Sequence, residues 1–254
     1  MITVEKPEFI DRMNTNQSMK VEIWSDVMCP FCYIGKRKFE SAMKEFSDAG
    51  NIELEWHSFQ LDPEIVADPD KNIYEYLSER KGMSYEQSVQ MHDHVVKMAA
   101  ESGLTYNFDK AVVANSFDAH RLIQLAKTKG LGDEIEEQLF KAYFTEGKDF
   151  GNHEVLTQLG KEIGLYENEV SEVLGNREKF AAEVKKDIQE AARIGVRGVP
   201  FFVFDRKFAV SGAQPSEVFL NTLQKSFGEW REANPVFKLE VADGPTCTPD
   251  GECN

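Results

Sequence analysis

Apolar and polar positions predict a strand, a helix and a second strand within the first sixty residues. Residues 21–24 form a short apolar-rich run, and residues 52–56 alternate apolar and polar side chains, as half-buried strands do. Between these runs, apolar residues recur at three- and four-residue spacing, which predicts a helix that ends near residue 46. Its buried stripe comprises Phe31, Cys32, Phe39, Ala42, Met43 and Phe46. A strand, a helix and a strand with short connections form a βαβ unit, so the strands should be parallel.

The next hundred residues carry helical spacing and no strand pattern. We predict helices at residues 73–80, 85–102, 116–129, 133–145, 154–163 and 167–174, separated by glycines. Strand character returns in two runs, residues 199–204 and 208–211, and the turn between them predicts an antiparallel hairpin. A final helix should begin near Pro215 and run to about Trp230.

Two sheet-bearing halves, each incomplete alone, therefore flank a helical block. This order predicts one α/β domain with an inserted all-helical domain. The predicted boundaries are a disordered extension at 1–18, the first part of the α/β domain at 19–63, the helical insertion at 64–178, the second part at 179–232, and a C-terminal extension with a cysteine pair at 233–254.

Composition narrows the choice of partners and compartment. The net charge of −15 disfavours nucleic acid and anionic membrane as partners. No run reaches the length of about 18 apolar residues typical of a membrane span. The first eighteen residues mix charges without the apolar segment of a signal peptide, so we expect a cytoplasmic protein. In that compartment a cysteine pair is more often catalytic or metal-binding than a structural disulfide.

The sequence Cys29-Pro30-Phe31-Cys32 carries the main candidate chemistry. Cys29 falls where the first helix begins, near unpaired backbone N–H groups and the positive end of the helix dipole. That field favours the thiolate, which is the form that attacks disulfides. Cys32 lies one turn further on, close enough to form a disulfide with Cys29, and Pro30 suits the first helical position. The motif therefore predicts a dithiol–disulfide redox centre.

Zinc binding and buried, inert thiols are the alternatives for these cysteines. A second pair, Cys247 and Cys253, would complete four thiolate ligands. The five-residue gap in that pair is wide for a zinc site, and Cys32 belongs to the apolar helix face, so we predict no metal. Lys36, Arg37 and Lys38 could make the site locally basic, although an ordinary solvated helix face is the preferred interpretation.

Gly198-Val199-Pro200 stands directly before the buried strand of the hairpin. A proline cannot donate to a sheet, so it needs an explanation there. One explanation is a trans proline at the start of the strand. The other is a cis-proline loop that faces the two cysteines and leaves the Val199 backbone free to pair with an extended substrate.

Three motifs in order make the chain resemble a known family. Residues 25–35, 115–121 and 195–200, together with the order of elements, resemble the thioredoxin fold of the DsbA family and, more narrowly, the FrnE-like dithiol–disulfide isomerases. The resemblance covers roughly residues 19–230. It implies that Cys29 attacks, that Cys32 resolves and that Pro200 is the cis-proline, with Pro30, Phe31, Val199 and Pro200 contacting the substrate.

The same resemblance sets the expected activity and partners. It implies an enzyme, a thiol–disulfide oxidoreductase or isomerase that acts on thiol- or disulfide-containing proteins or small thiols. No cofactor is expected, with glutathione as a candidate thiol partner. The chain departs from the simple thioredoxin pattern because the buried acid often found six residues before the first cysteine falls at Ile23. Asp26 and Glu22 are the nearby acids, without evidence that either takes that role.

Four further residues are candidates of lower rank. Asn115, with Ser116, suits a helix cap, and His120 should face inward on the same helix, where packing is preferred over substrate contact. Both are candidates for lining the site. Cys247 and Cys253 surround a Pro-Asp-Gly turn whose geometry permits a disulfide. The resemblance to FrnE-like proteins favours a second redox pair here over two incidental thiols.

Two other classes of function fit the same architecture. Hydroxychromene-carboxylate isomerases and kappa-class glutathione transferases resemble this chain but use a serine at the position of Cys29. Because both Cys29 and Cys32 are present, disulfide chemistry is preferred over a glutathione-dependent isomerase or transferase. A chaperone-like binding protein with a secondary redox pair is the third hypothesis.

Overall fold

A computed structural model describes residues 18–68 and 70–235. Four strands form one sheet in the order β2-β1-β3-β4. β1 (Met19–Ser25) and β2 (Ile52–Ser58) are parallel, while β3 (Phe201–Phe204) runs antiparallel to both β1 and β4 (Phe208–Ser211). The predicted parallel pair and hairpin are therefore both present. Pairing of β3 with β1 closes the gap between the two halves of the sequence and makes one sheet from them.

The helices are confirmed at nearly every predicted position. They are α1 (Pro30–Glu45), α2 (Ile73–Lys81), α3 (Tyr85–Glu101), α4 (Phe117–Lys127), α5 (Gly132–Phe140), α6 (His153–Glu162), α7 (Glu167–Gly175), α8 (Ala181–Arg193) and α9 (Ser216–Ala233). A π-helical turn, Lys141–Glu146, extends α5. The sequence analysis missed α8, because its buried positions are two alanines, Val184 and Asp187 rather than a strong apolar stripe.

Helices cover both faces of the sheet. α1 and α9 cover one face, where Phe39 of α1 stacks on Phe202 of β3 with ring centres 5.4 Å apart, and Phe219 of α9 packs edge-on against Phe202 at 4.7 Å. α8 covers the other face and buries Trp24, whose indole N–H donates to the carbonyl of Asp187. The α/β class with a helical insertion is thus confirmed.

The inserted helices form their own apolar core, which joins α1. Tyr33 of α1 stacks on Phe140 of α5 at 5.0 Å, so the insertion packs directly against the helix that carries the cysteines. Within the insertion, Arg121 is fully buried and donates to the carbonyls of Val173, Asn176 and Lys179. The numbered domain boundaries stay predictions.

Phe31 is predicted to lie on the buried stripe of α1, which is wrong: it lies in the first turn of the helix and is 38% exposed. The predicted N-terminal extension and the Cys247/Cys253 pair lie outside the described residues. Among residues 18–68 and 70–235, no helix has the length and apolar character needed to cross a membrane.

Candidate functional site

Cys29 and Cys32 lie at the beginning of α1, as the sequence predicts. Cys29 is the residue that precedes the first helical turn, Pro30 occupies the first helical position, and the Cys32 N–H donates to the Cys29 carbonyl at 3.0 Å. Both side chains are free thiols, 3% and 1% exposed respectively. The strand β1 ends four residues before Cys29. Cys29 therefore lies between the C-terminal end of a central strand and the N-terminal, positive end of the α1 dipole.

The two thiols differ in their electrostatic environment. Burial raises the pKa of Cys32 well above its usual value, and hydrogen bonding with Cys29 and the charge on the Cys29 sulfur raise it further. The Asp26 backbone and the Ser25 hydroxyl act in the opposite direction and do not cancel these effects. Cys32 therefore keeps its proton more readily than an ordinary thiol does.

The loop before β3 lies against the cysteines. The Val199–Pro200 peptide bond is cis, and the Cys29 thiol donates to the Val199 carbonyl with an Sγ–O distance of 3.4 Å. The Pro200 carbonyl in turn accepts from the Gly212 N–H at 2.8 Å, which ties the loop to the end of β4. Pro200 also sits so close to Gly35 that a Cβ added there would lie 2.9 Å from Pro200 Cγ. The structure thus brings together two segments that are far apart in the sequence.

A buried carboxylate supports the loop that holds Cys29. Asp26 accepts from the Leu61 N–H at 2.7 Å through Oδ2, and its Oδ1 lies 3.3 Å from His120 Nε2. The Asp26 backbone carbonyl accepts from the Cys29 N–H at 2.9 Å. Asp26 and His120 are both fully buried. His120 faces inward, as predicted, and contacts Asp26 behind the cysteines instead of lining the surface.

The side chain of Asn115 forms hydrogen bonds with the backbone around it. Its Oδ1 accepts from the Phe117 N–H at 2.9 Å, which caps α4, and its Nδ2 donates to the carbonyls of Pro63 and Ile65. Ser116, the other predicted cap, makes no capping hydrogen bond with its side chain. Asn115 therefore fastens the segment after β2 to the insertion, close to Leu61 and Asp26.

Tyr106 is a site residue that the sequence analysis missed. Its hydroxyl donates to the Pro30 carbonyl at 2.7 Å, and its ring stacks on Tyr33 at 6.2 Å. Burial raises the pKa of Tyr106, so the phenol stays protonated and remains a donor. Tyr106 precedes a short 3-10 turn in the insertion, where no periodicity or motif marks it.

Two of the three basic residues after the motif, Lys36 and Arg37, form ion pairs, while Lys38 donates from Nζ to the Ala213 carbonyl at 3.2 Å. Lys36 is buried, with its ammonium 2.5 Å from Glu40 and 3.2 Å from Asp133. Arg37 pairs with Glu137 of α5. Ion pairs of this kind attach α1 to the insertion, and their charge is neutralised locally.

Phe31 projects from the first turn of α1, and Leu61, adjacent to the Asp26 side chain, is also partly exposed. Met28, the residue before Cys29, is half-buried. These apolar side chains lie close to charged groups, since Arg80 donates to the Leu61 carbonyl at 3.2 Å and pairs with Asp62.

Comparison with known proteins agrees with this geometry. The protein is similar to a structure from Streptomyces coelicolor described as a probable DsbA oxidoreductase, with 38% identity, a TM-score of 0.78, and coverage of 93% of this chain and 98% of that one. It is 28% identical over 205 residues to the uncharacterized protein YwbO of Bacillus subtilis, covering 80% of this chain and 94% of YwbO.

A more distant structure shares the fold. The cytosolic disulfide reductase DsbM from Pseudomonas aeruginosa has 18% identity and a TM-score of 0.60, over 83% of this chain and 99% of that one. The family model described as DSBA-like thioredoxin domain matches residues 20–224, which include both cysteines and the Val199–Pro200 loop. The chain belongs to the DSBA-like thioredoxin domain family.

Proposed function

We propose that the protein is a thiol–disulfide oxidoreductase or isomerase, of the FrnE-like type, that acts through Cys29 and Cys32. The observation that carries this proposal is the asymmetry of the two thiols. Cys29 lies at the helix start with its sulfur against the Val199 carbonyl, while Cys32 is deeper and has a raised pKa. One sulfur is suited to attack and the other to wait in its protonated form.

The reaction follows from this asymmetry. The Cys29 thiolate attacks one sulfur of a substrate disulfide, forming a mixed disulfide and releasing the other sulfur as a thiolate. Cys32 then loses its proton and attacks Cys29 Sγ, so that the Cys29–Cys32 disulfide forms and the second substrate thiolate leaves. Two electrons pass from the enzyme dithiol to the substrate. The reverse sequence oxidises a substrate dithiol.

Four residues would hold the substrate beside Cys29. Pro30 and Phe31 follow the attacking cysteine, and the exposed Phe31 ring offers apolar contact. Val199 and Pro200 present backbone groups on the other side of the sulfur. An extended polypeptide that pairs with this loop would place its own sulfur next to Cys29, which favours a protein disulfide as substrate.

Glutathione chemistry is the second candidate. DsbM has been solved with glutathione, and a 2-hydroxychromene-2-carboxylate isomerase also shares the fold. The presence of both cysteines in this chain favours disulfide exchange, with glutathione as a thiol partner, over the isomerase. We also propose a cytoplasmic location, as for DsbM.

Trapping of the mixed disulfide tests the proposal. Cys32→Ser should accumulate covalent adducts with scrambled or glutathionylated protein substrates, which carry a disulfide for Cys29 to attack, while Cys29→Ser, the matched control, should not. Both variants should lose insulin reduction. Adducts formed by Cys29→Ser instead would reverse the roles of the two cysteines, and insulin reduction by both variants would refute the redox site.

A separate assay distinguishes the chaperone-like hypothesis. Cys29→Ser should retain any ability to suppress aggregation of a denatured protein, because the exposed apolar surface around Phe31 does not depend on the thiol. Suppression of aggregation by the wild type without any insulin reduction would favour the binding protein over the enzyme.

A further inference from the structure

A second cluster of ionisable side chains, two glutamates and a histidine, lies on the sheet face covered by α8. Glu22 of β1 is the direct partner of Glu55 on β2, and His57 lies two residues beyond Glu55. Because side chains at i and i+2 of a strand share a face, all three project in the same direction. One ligand atom of each lies within 4.8 Å of the others.

His57 is held in a fixed orientation within this cluster. Its Nδ1 lies 2.9 Å from Asp187 Oδ1, and the ring stacks on Trp24 with centres 4.4 Å apart and an interplanar angle of 13°. Asp187 is itself held, since its Oδ2 accepts from the Ser58 N–H at 2.9 Å and from the Gln124 amide at 2.6 Å. A carboxylate on Nδ1 fixes the orientation of the ring and directs Nε2 toward the glutamates.

Nε2 points toward the two glutamates without a hydrogen bond. The His57 side chain is 6% exposed, and within residues 18–68 and 70–235 no group has hydrogen-bond geometry with Nε2, although Glu22 Oε1 is only 3.2 Å away. A buried nitrogen in an ion-pair network normally finds such a partner. An imidazole nitrogen that faces two carboxylates, with a third carboxylate behind the ring, is also the arrangement of a metal-binding histidine, where the metal takes the place of the Nε2 proton.

The cluster is open to a ligand. It borders a cavity of about 630 Å³ whose walls include Glu22, Glu55, His57, Lys20, Lys127 and Arg206. The cations already engage the carboxylates: Lys20 Nζ is 2.9 Å from Glu55 Oε2, and the Arg206 guanidinium contacts Glu22 Oε1. Each carboxylate has a second oxygen, so a metal ion can bind beside these cations, at a lower affinity than without them.

We propose that Glu22, Glu55 and His57 bind a divalent transition-metal ion, with one imidazole nitrogen and two carboxylates as ligands and water completing the coordination. This donor set suits Zn²⁺ and similar ions of intermediate softness rather than Ca²⁺, which takes oxygen ligands only. No sequence motif identifies the site, because the ligands come from two strands and His57 belongs to no motif. The site is independent of the thiol chemistry.

Zinc titration of a tag-free, full-length protein tests the proposal. All four cysteines are first changed to serine, so that thiolates cannot bind the metal, and ZnCl₂ is added with calorimetric detection. One Zn²⁺ per chain is expected. Glu55→Gln should weaken binding at least tenfold, whereas Glu53→Gln, the matched control one step further from His57 on the same face, should leave it unchanged. Glu55 and Glu53 are both partly exposed, so neither change threatens the fold.

Two more variants distinguish a metal site from a structural network. Asp187→Asn should weaken Zn²⁺ binding by roughly 10–100-fold through the orientation of His57. Arg206→Asn should strengthen it, because a competing cation is removed from Glu22 and asparagine tolerates the positive φ of 53° at this turn. No stoichiometric binding, or binding that is the same in Glu55→Gln and Glu53→Gln, would overturn the proposal and leave an ion-pair network only.

Discussion

Gly35→Ala is the most direct test of the contact between the cysteine helix and the proline loop. Gly35 lies in α1, one turn after Phe31, and faces Pro200. A Cβ added there would lie 2.9 Å from Pro200 Cγ and 3.6 Å from two ring atoms of Phe202. Phe202 is fully buried, and Pro200 is fixed by its hydrogen bond to Gly212. Neither neighbour can move away easily, so the methyl group must displace the loop.

The expected size of the effect follows from two opposing contributions. Replacing a helical glycine with alanine favours the helix by about 1 kcal/mol. Adding a methylene to a packed interior costs about 1–3 kcal/mol. Gly228→Ala is the matched control, since Gly228 lies inside α9 with no atom within 4 Å of the added Cβ. The free energy of unfolding of Gly35→Ala should therefore fall about 1–3 kcal/mol below that of Gly228→Ala.

Urea unfolding of the reduced proteins measures this difference, and insulin reduction measures its consequence at the site. Displacement of Pro200 changes the contact between Cys29 Sγ and the Val199 carbonyl, so Gly35→Ala should reduce insulin more slowly while Gly228→Ala keeps the wild-type rate. If Gly35→Ala were as stable as Gly228→Ala and equally active, the close packing of Pro200 on α1 would be refuted.

Three further predictions concern buried polar groups. Burial raises the pKa of Glu136 from 4.5 to about 8, so the folded protein binds more protons than the unfolded chain and loses stability as the pH rises from 4.5 to 8. Glu136→Gln should remove this loss and raise the free energy of unfolding at pH 8 by up to about 4 kcal/mol, at about 1.4 kcal/mol per pKa unit. Urea unfolding measures the change, and Glu134→Gln, at an exposed position, should leave the stability unchanged. Tyr106→Phe should cost about 1 kcal/mol by losing its bond to Pro30, measured against Tyr166→Phe on the surface. Arg121→Lys should cost about 2–5 kcal/mol, seen as a lower urea midpoint, because lysine cannot reach three carbonyls at once.

The sequence predicts the elements of this protein better than the contacts between them. The apolar runs of β1, β2, β3 and β4 and the glycine-punctuated helices are local patterns, so they can be recognised in the chain. α8 could not be predicted from its pattern, because it packs on the sheet through small residues and Asp187. The Asp187 carboxylate accepts hydrogen bonds from residues of β2 and α4. Tyr106 could not be predicted either, because its hydroxyl donates to the carbonyl of Pro30, which is 76 residues away in the sequence.

β1 illustrates how a sequence can mark a site without identifying it. Six of its seven residues are buried, and Glu22 is one of them. A carboxylate in the middle of a strand that is buried on both faces needs partners, because an isolated buried charge is too costly to retain. Glu22 therefore indicates, from its position alone, that some basic or metal-binding group must approach this face. Only the structure identifies the neighbours as His57, Arg206 and Glu55, since they come from β2 and from the hairpin turn at the far end of the chain.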